Sequence, residues 1–212
     1  MKNTLEFRTI QKEDYTELEH IISDVWKYED FCSPETAKKM AKLYLASCLI
    51  NQTYNCVAVQ DGKAVGVIMG NCFREKKHTA KYLPRRISAV LEMALSGEGR
   101  GVMKMFQGFD QIDEELLQLS GKTYDGALEF FAVDKAVHGT GIGGQLYQRA
   151  MDYFAECQMR NFYLYTDTAC NWGFYEHQGM VRVVEREKKF DGHERKINFF
   201  LYEKTEVRDI LN

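Results

Sequence analysis

The stretch Leu128-Glu-Phe-Phe-Ala-Val-Asp-Lys-Ala-Val-His-Gly-Thr-Gly-Ile-Gly-Gly-Gln-Leu146 constrains this chain more than any other. A nearly continuous apolar run to Val133 reads as a strand buried on both faces. A short turn follows, then glycines at 139, 141, 143 and 144, then the first turn of an amphipathic helix. The glycines strip side chains from a helix start, where backbone N–H groups have no internal acceptor. The helix dipole adds partial positive charge at the same point. Strand, loop and helix together make a cradle for a phosphate-like anion.

Three kinds of protein place glycines at such a junction. A Walker loop needs Lys and Ser/Thr after its last glycine, whereas Gln145 and Leu146 follow Gly144 here. A dinucleotide fingerprint matches in letters, since Gly139-x-Gly141-x-x-Gly144 is G-x-G-x-x-G and Asp167 could serve as the ribose-binding acid. Its context is wrong, however. Asp134 to His138 separate the strand from the first glycine, and after Asp167 the chain has a short helix and a hairpin instead of further β-α units.

Around the cradle the pattern is mixed. Leu5–Ile10 reads as a strand and Lys12–Trp26 as a helix. Ser33-Pro34-Glu35 opens a second helix running toward Leu49, with a capping serine and proline at the first helical position. Cys56–Gln60 and Lys63–Met69 form a hairpin on Asp61-Gly62. From Asn71 to Gly126 strand alternation stops. Ile87, Val90, Leu91, Ala94 and Leu95 recur at helical spacing, Gly97-Glu-Gly-Arg-Gly101 breaks the pattern, and Ile112, Leu116 and Leu117 resume it. This insertion begins with a basic stretch, Arg74–Arg86, which reads as a solvated helix face or an element lining an acceptor pocket. Tyr82, Met103, Met105 and Phe106 read as core, or as a wall of that pocket. Beyond the glycine helix come a strand at Phe162–Thr166, a short helix at Asn171–His177 ended by Gly179, and two strands, Met180–Phe190 and Glu194–Lys204, hinged at Asp191-Gly192.

The formal charge of −3 gives no overall attraction to nucleic acid or anionic lipid. No apolar run approaches membrane-spanning length, and no leader peptide is evident. The six cysteines lie far apart without Cys-x-x-Cys pairs, which fits reduced thiols in a cytoplasmic protein. Neither cysteines nor histidines show zinc-ligand spacing, so no metal is expected.

Two motifs then carry a family resemblance. Val133-x-x-x-x-His138-Gly-Thr-Gly-Ile-Gly143 resembles motif A of the GNAT acetyltransferases, with the core Arg/Gln-x-x-Gly-x-Gly/Ala. Asn171-Trp-Gly-Phe-Tyr-Glu-His-Gln-Gly-Met180 resembles that family's Phe-Tyr-Glu-x-x-Gly-Phe element. The resemblance covers everything except the Asn71–Gly126 insertion. It implies an α/β (α+β) GNAT fold: a mixed, mostly antiparallel twisted sheet of about six to seven strands flanked by helices. A helical insertion would lie between strands 3 and 4. Residues 1–212 would form one N-acetyltransferase domain, with 71–126 on the acceptor side.

By the same resemblance, acetyl-CoA is the co-substrate. Backbone amides of Gly139, Thr140, Gly141, Ile142, Gly143 and Gly144 would hold its pyrophosphate, and Phe131, Ala132 and Val133 would pair with its pantetheine arm. His138 departs from the family's arginine or glutamine, which leaves its side-chain contact open. Tyr175 matches the tyrosine near the CoA sulfur. Asn171 would cap the short helix and bond to the pantetheine, or only cap it. Glu129 is the candidate base, with Asp134 and Asp167 behind it; Asp167 is expected to cap the helix that follows. The acceptor would be a small-molecule or peptide amine attacking directly, with no nucleic-acid or membrane partner. An acyl-CoA-binding sensor is the alternative, and the oligomeric state is open, a homodimer included.

Overall fold

The computed structural model describes residues 4–77, 79–189 and 196–207, without the side chain of Thr79. The described residues form seven strands: β1 (Leu5–Arg8), β2 (Tyr54–Gln60), β3 (Lys63–Cys72), β4 (Gly126–Val133), β5 (Asn161–Asp167), β6 (Val181–Lys189) and β7 (Lys196–Thr205). The α-helices are α1 (Tyr15–Trp26), α2 (Pro34–Asn51), α3 (Thr79–Ala94), α4 (Gly97–Ser120), α5 (Ile142–Glu156) and α6 (Gly173–His177). The strands form one sheet in the order β1-β2-β3-β4-β5-β7-β6. Every neighbouring pair is antiparallel except β4 and β5. The expected hinge at Asp191-Gly192, with Phe190 and Glu194, lies outside the described residues.

Local chemistry explains the boundaries. The Ser33 hydroxyl accepts the Thr36 amide at the head of α2, with Pro34 in the first turn. Asp61 and Gly62 both take positive φ, 51° and 83°, the geometry that a tight hairpin turn requires. Two expected boundaries move. Asn71 and Cys72 belong to β3 and Gly126 to β4, so the insertion is shorter than 71–126. The glycines at 97–101 do not break a helix; they begin α4, capped by the Ser96 hydroxyl at 2.9 Å from the Gly99 amide. A Cβ on Gly99 would lie 2.2 Å from the Met93 carbonyl, so glycine is what lets α4 start against the end of α3.

The helices cover both faces of the sheet. Leu18 and Ile22 of α1 and Leu45 and Leu49 of α2 pack with Val57, Val67, Met69 and Phe130. On the other face Leu146, Ala150 and Phe154 of α5 meet Ile68, Leu128, Phe162 and Leu164. Each large apolar side chain buried in this way contributes about 1.5–3 kcal/mol. The first half of α4, through Val102 and Phe106, joins the α1–α2 layer. Its second half, through Ile112 and Leu116, lies on Phe199 and Leu201 of β7. Tyr82, Ala89 and Met93 are the buried positions of α3 among the described residues, whereas Leu83, Ile87 and Leu91, with Leu95 just past its end, face outward. No described helix is long and apolar enough to cross a membrane.

Two irregularities make the site. β4 and β5 are registered at Ala127 opposite Tyr163 and at no later pair among the described residues, so the strands part toward Val133 and Asp167. In the β3–β4 register Gly70 faces Leu128 and Met69 faces Phe130, so Glu129 is the extra residue of a bulge. A bulge re-aims a side chain that strict alternation would place elsewhere.

Candidate active site

Where β4 and β5 part, a cavity of about 620 Å³ opens, within the range of small-molecule sites. One wall is β4 from Leu128 to Val133, and the other includes Thr166, Cys170 and Asn171. Phe131, Ala132 and Val133 all line it.

At one end lies the glycine loop. Gly139 and Gly141 have φ of 78° and 84°, a backbone that side-chain-bearing residues rarely adopt. Gly141 is the N-cap of α5, and the first hydrogen bond of the helix runs from the Gln145 amide to the Gly141 carbonyl. The amides of Ile142, Gly143 and Gly144 therefore precede any intrahelical partner. Gly139, Gly141, Gly143 and Gly144 face the cavity. Thr140 and Ile142 are not among the residues lining the cavity: the Thr140 hydroxyl, at 2.7 Å, and its backbone amide, at 3.4 Å, both donate to the Val137 carbonyl, and the Ile142 side chain is core.

His138 also lines the cavity, but its ring turns back, with Nε2 3.1 Å from the Val133 carbonyl. That bond ties the loop to the strand it leaves. Sequence reasoning missed Lys135, which lines the same end and anchors its ammonium on the Asp24 carbonyl at 3.2 Å. It supplies a formal positive charge to a loop that otherwise offers dipoles.

Tyr175 and Phe174 of α6 line the middle of the cavity. The Tyr175 ring packs against Phe131, Phe174 and Tyr202. Burial, with the nearby Cys170 and Tyr147, pushes its phenol well above the usual range, so it stays protonated and can donate a hydrogen bond. Asn171 lines the cavity but does not cap α6. The N-cap is Trp172, with no side-chain capping bond, because the chain is already helical there. Asp167 likewise does not cap α6. Its carboxylate accepts the Ala169 amide at 2.6 Å and braces the turn after β5. Asp134 accepts the Ala136 amide at 2.8 Å and caps a short turn before the loop.

Glu129 is partly buried. It lines the cavity and accepts a 2.7 Å hydrogen bond from the Asn71 amide. Burial raises its carboxyl above the usual range, while Asn71 and Lys77 pull it partly back. Asn71, itself buried, is a positioning residue that the sequence reading placed in the insertion.

Asp113 was not foreseen. It extends from α4 near Asp110 and Asp167, and burial followed by those two charges pushes its carboxyl up to about 8. Asp167 and Asp110 are also raised, again chiefly by burial. Among the described residues, no group of three or more His, Cys, Asp or Glu is placed to hold a metal ion. The described residues of the basic stretch do not line the cavity, and neither do Tyr82, Met103, Met105 and Phe106. Arg74 pairs with Asp125 and Arg85 with Glu19.

Residues 15–180 match the model of the acetyltransferase (GNAT) family. No curated protein sequence matches. Several solved structures share the fold. PH1933 from Pyrococcus horikoshii OT3 is 17% identical with a TM-score of 0.60, covering 95% of this chain and 98% of that one. The ribosomal-protein-S18-alanine N-acetyltransferase from Escherichia coli is 11% identical with a TM-score of 0.54, over 96% and 94%. An N-acetyltransferase from Staphylococcus aureus Mu50 is 14% identical with a TM-score of 0.55, over 95% and 98%.

Proposed function

The chain belongs to the GNAT acetyltransferase family and is an acyltransferase, and from that premise we propose that it moves an acetyl group from acetyl-CoA to a primary amine of a small molecule or peptide by direct attack. One observation carries the reading. A single cavity joins the glycine loop, Tyr175 and Glu129 between two parting strands.

The residues fit the proposed co-substrate. Unpartnered amides at the start of α5 suit a pyrophosphate, with Lys135 adding charge. The open backbone of β4 beyond Ala127 suits an extended amide-bearing arm, as an edge strand suits a peptide. Acetyl-CoA brings the activated thioester; the protein's own groups do the rest. Glu129, held by Asn71, takes a proton from the incoming ammonium, and its raised affinity for protons suits that task. Tyr175 donates a hydrogen bond to the departing sulfur. Of the two protons the nitrogen sheds, one ends on CoA and the other leaves through Glu129. Glu129 puts a carboxyl group in the cavity wall, which favours a cationic amine over a neutral one.

A panel of amines with free thiol as the readout tests the reading. Thiol release that depends on one class of amine supports it; tight CoA binding with no release for any amine sinks it and leaves the sensor. Tyr175→Phe is expected to lower kcat about 10- to 100-fold, the effect of one hydrogen bond to a charged group, with CoA affinity unchanged within twofold. Glu129→Gln is expected to lower kcat/KM about 100-fold. It should also remove the acidic limb of the pH profile, which in the wild type lies above the ordinary carboxylate range. A variant that keeps this limb would reassign the base.

A further inference from the structure

Tyr175 reaches the cavity from the shortest α-helix described. α6 has five residues, and its N-cap, Trp172, makes no side-chain capping bond. A helix so short makes too few internal hydrogen bonds to hold its own shape, so contacts with the rest of the fold must set its orientation. The next residue, Glu176, supplies one of them. Successive positions lie about 100° apart around a helix axis, so Glu176 leaves α6 on a different side from Tyr175 and is exposed.

Glu176 ends a chain of three polar groups. The Arg182 guanidinium donates from Nε and Nη2 to the Tyr202 hydroxyl oxygen, at 3.0 and 2.8 Å. That hydroxyl in turn donates to Glu176 Oε1 at 2.8 Å. The end groups fix this direction, because a guanidinium can only donate and an ionised carboxylate can only accept. Both bonds of the hydroxyl are to charged partners, which are the stronger kind. Arg182 also reaches Glu176 directly, at 3.4 Å.

The anchor is firm where it meets the sheet. Arg182 on β6 stands opposite Tyr202 on β7, and the next register pair, Val184 with Leu201, leaves Val183 as the extra residue of a bulge. The guanidinium carbon lies 3.9 Å from the centroid of the Phe200 ring and 5.0 Å from that of Trp172. Tyr202 is fully buried, and its ring centroid is 6.3 Å from that of Tyr175. One side chain thus meets both residues of the Tyr175-Glu176 pair: its ring backs Tyr175, and its hydroxyl holds Glu176.

We infer that Tyr202 is a positioning residue for Tyr175: its hydroxyl, held by Arg182, fixes the rotation of α6 through Glu176 so that the Tyr175 phenol points at the departing sulfur. The inference rests on the donor role proposed for Tyr175. A rotation of α6 moves the phenol and leaves the glycine loop, at the start of α5, where it is. The transfer step then slows while CoA binding is spared. A misplacement of about 1 Å costs about 100-fold in rate, and a smaller rotation about tenfold.

Double-mutant kinetics test this. Thiol release is measured with acetyl-CoA and whichever of ethanolamine, phenethylamine, spermidine, lysine and a peptide with a free N-terminus reacts fastest. Tyr202→Phe keeps the ring and is expected to lower kcat about tenfold, with KM for acetyl-CoA unchanged within about twofold. Glu176→Ala breaks the same bond from its exposed end and should show the same loss. In a Tyr175→Phe background neither substitution should lower kcat further by more than about twofold. Full losses in that background overturn the inference, because Tyr202 would then act on something other than Tyr175. Wild-type kcat in both Tyr202→Phe and Glu176→Ala overturns it too, as does a loss carried by KM for acetyl-CoA. Wild-type kcat in Tyr175→Phe alone removes the donor role and the inference with it. No thiol release from the wild type with any of these amines removes the amine-transfer reading beneath both.

Discussion

Replacing Asp113 by asparagine is expected to make the protein more stable, and increasingly so as the pH rises. In the folded state the Asp113 carboxyl is pushed up to about 8, first by burial and then by the charges of Asp110 and Asp167. In the unfolded chain it titrates near an ordinary aspartate, about 3.9. Between those values the folded protein holds a proton that the unfolded chain has released. Stability contributed at acid pH is therefore lost as the pH climbs through this window, at about 1.4 kcal/mol per unit. From pH 5 to pH 8 the loss comes to roughly 4 kcal/mol, a large part of a normal folding free energy. Asparagine has the shape of the protonated acid and cannot ionise, so the variant escapes this loss. Glu129, Asp110 and Asp167 are raised too, which leaves a residual slope in both proteins. Urea unfolding at pH 5, 7 and 9 isolates Asp113 as the difference between the two curves. The curves should meet near pH 4–5 and diverge by roughly 4 kcal/mol by pH 8–9. Parallel curves would show that Asp113 ionises freely in the folded protein.

Asp113 also marks where the sequence stopped being readable. In the chain it stands in Asp110-Gln-Ile-Asp-Glu-Glu115, which has the look of the wet side of a helix. Only the laying of α4 across β7 turns that side toward Asp167, and contacts between segments so distant leave no local pattern. The same holds for Asn71, whose partner Glu129 is 58 positions away. The bulge that re-aims Glu129 depends on how β3 and β4 register, which neither strand specifies alone. In α3 the periodicity was plain, yet an amphipathic pattern does not say whether its apolar face meets the core or the solvent; here both Tyr82 and Ile87 are apolar and only one face is covered. What could be read directly were features whose physics is local: the Ser33-Pro34 start, the Asp61-Gly62 turn, and the glycines before α5. Lys135 was within reach, since it stands three residues before His138 in the same loop. Its charge belongs to a side chain, which a motif built on backbone amides does not specify.

The glycine loop gives the other large effect. Gly141→Val is expected to raise the Kd for CoA about 1000-fold while leaving a folded protein. Gly141 has φ of 84°, and a Cβ there would touch nothing within 4 Å. The cost to the fold is thus backbone strain alone, about 1–2 kcal/mol, or a fall in Tm of about 2–8 °C for a chain of this size. Binding suffers more. Relieving the strain turns the N-cap out of its left-handed conformation and redirects the amides of Ile142, Gly143 and Gly144. Two or more charge-assisted hydrogen bonds lost at about 1.5–3 kcal/mol each amount to about three powers of ten. Gly62 supplies the control, because its φ is 83° and a Cβ there also meets nothing within 4 Å, but it sits in the β2–β3 turn away from the cavity. Gly62→Val should match Gly141→Val in lost stability and the wild type in CoA affinity. Calorimetric titration with CoA, beside thermal unfolding of all three proteins, separates strain from recognition. If Gly141→Val binds CoA as Gly62→Val does, the loop is only a tight turn into α5, and the pyrophosphate must be held elsewhere.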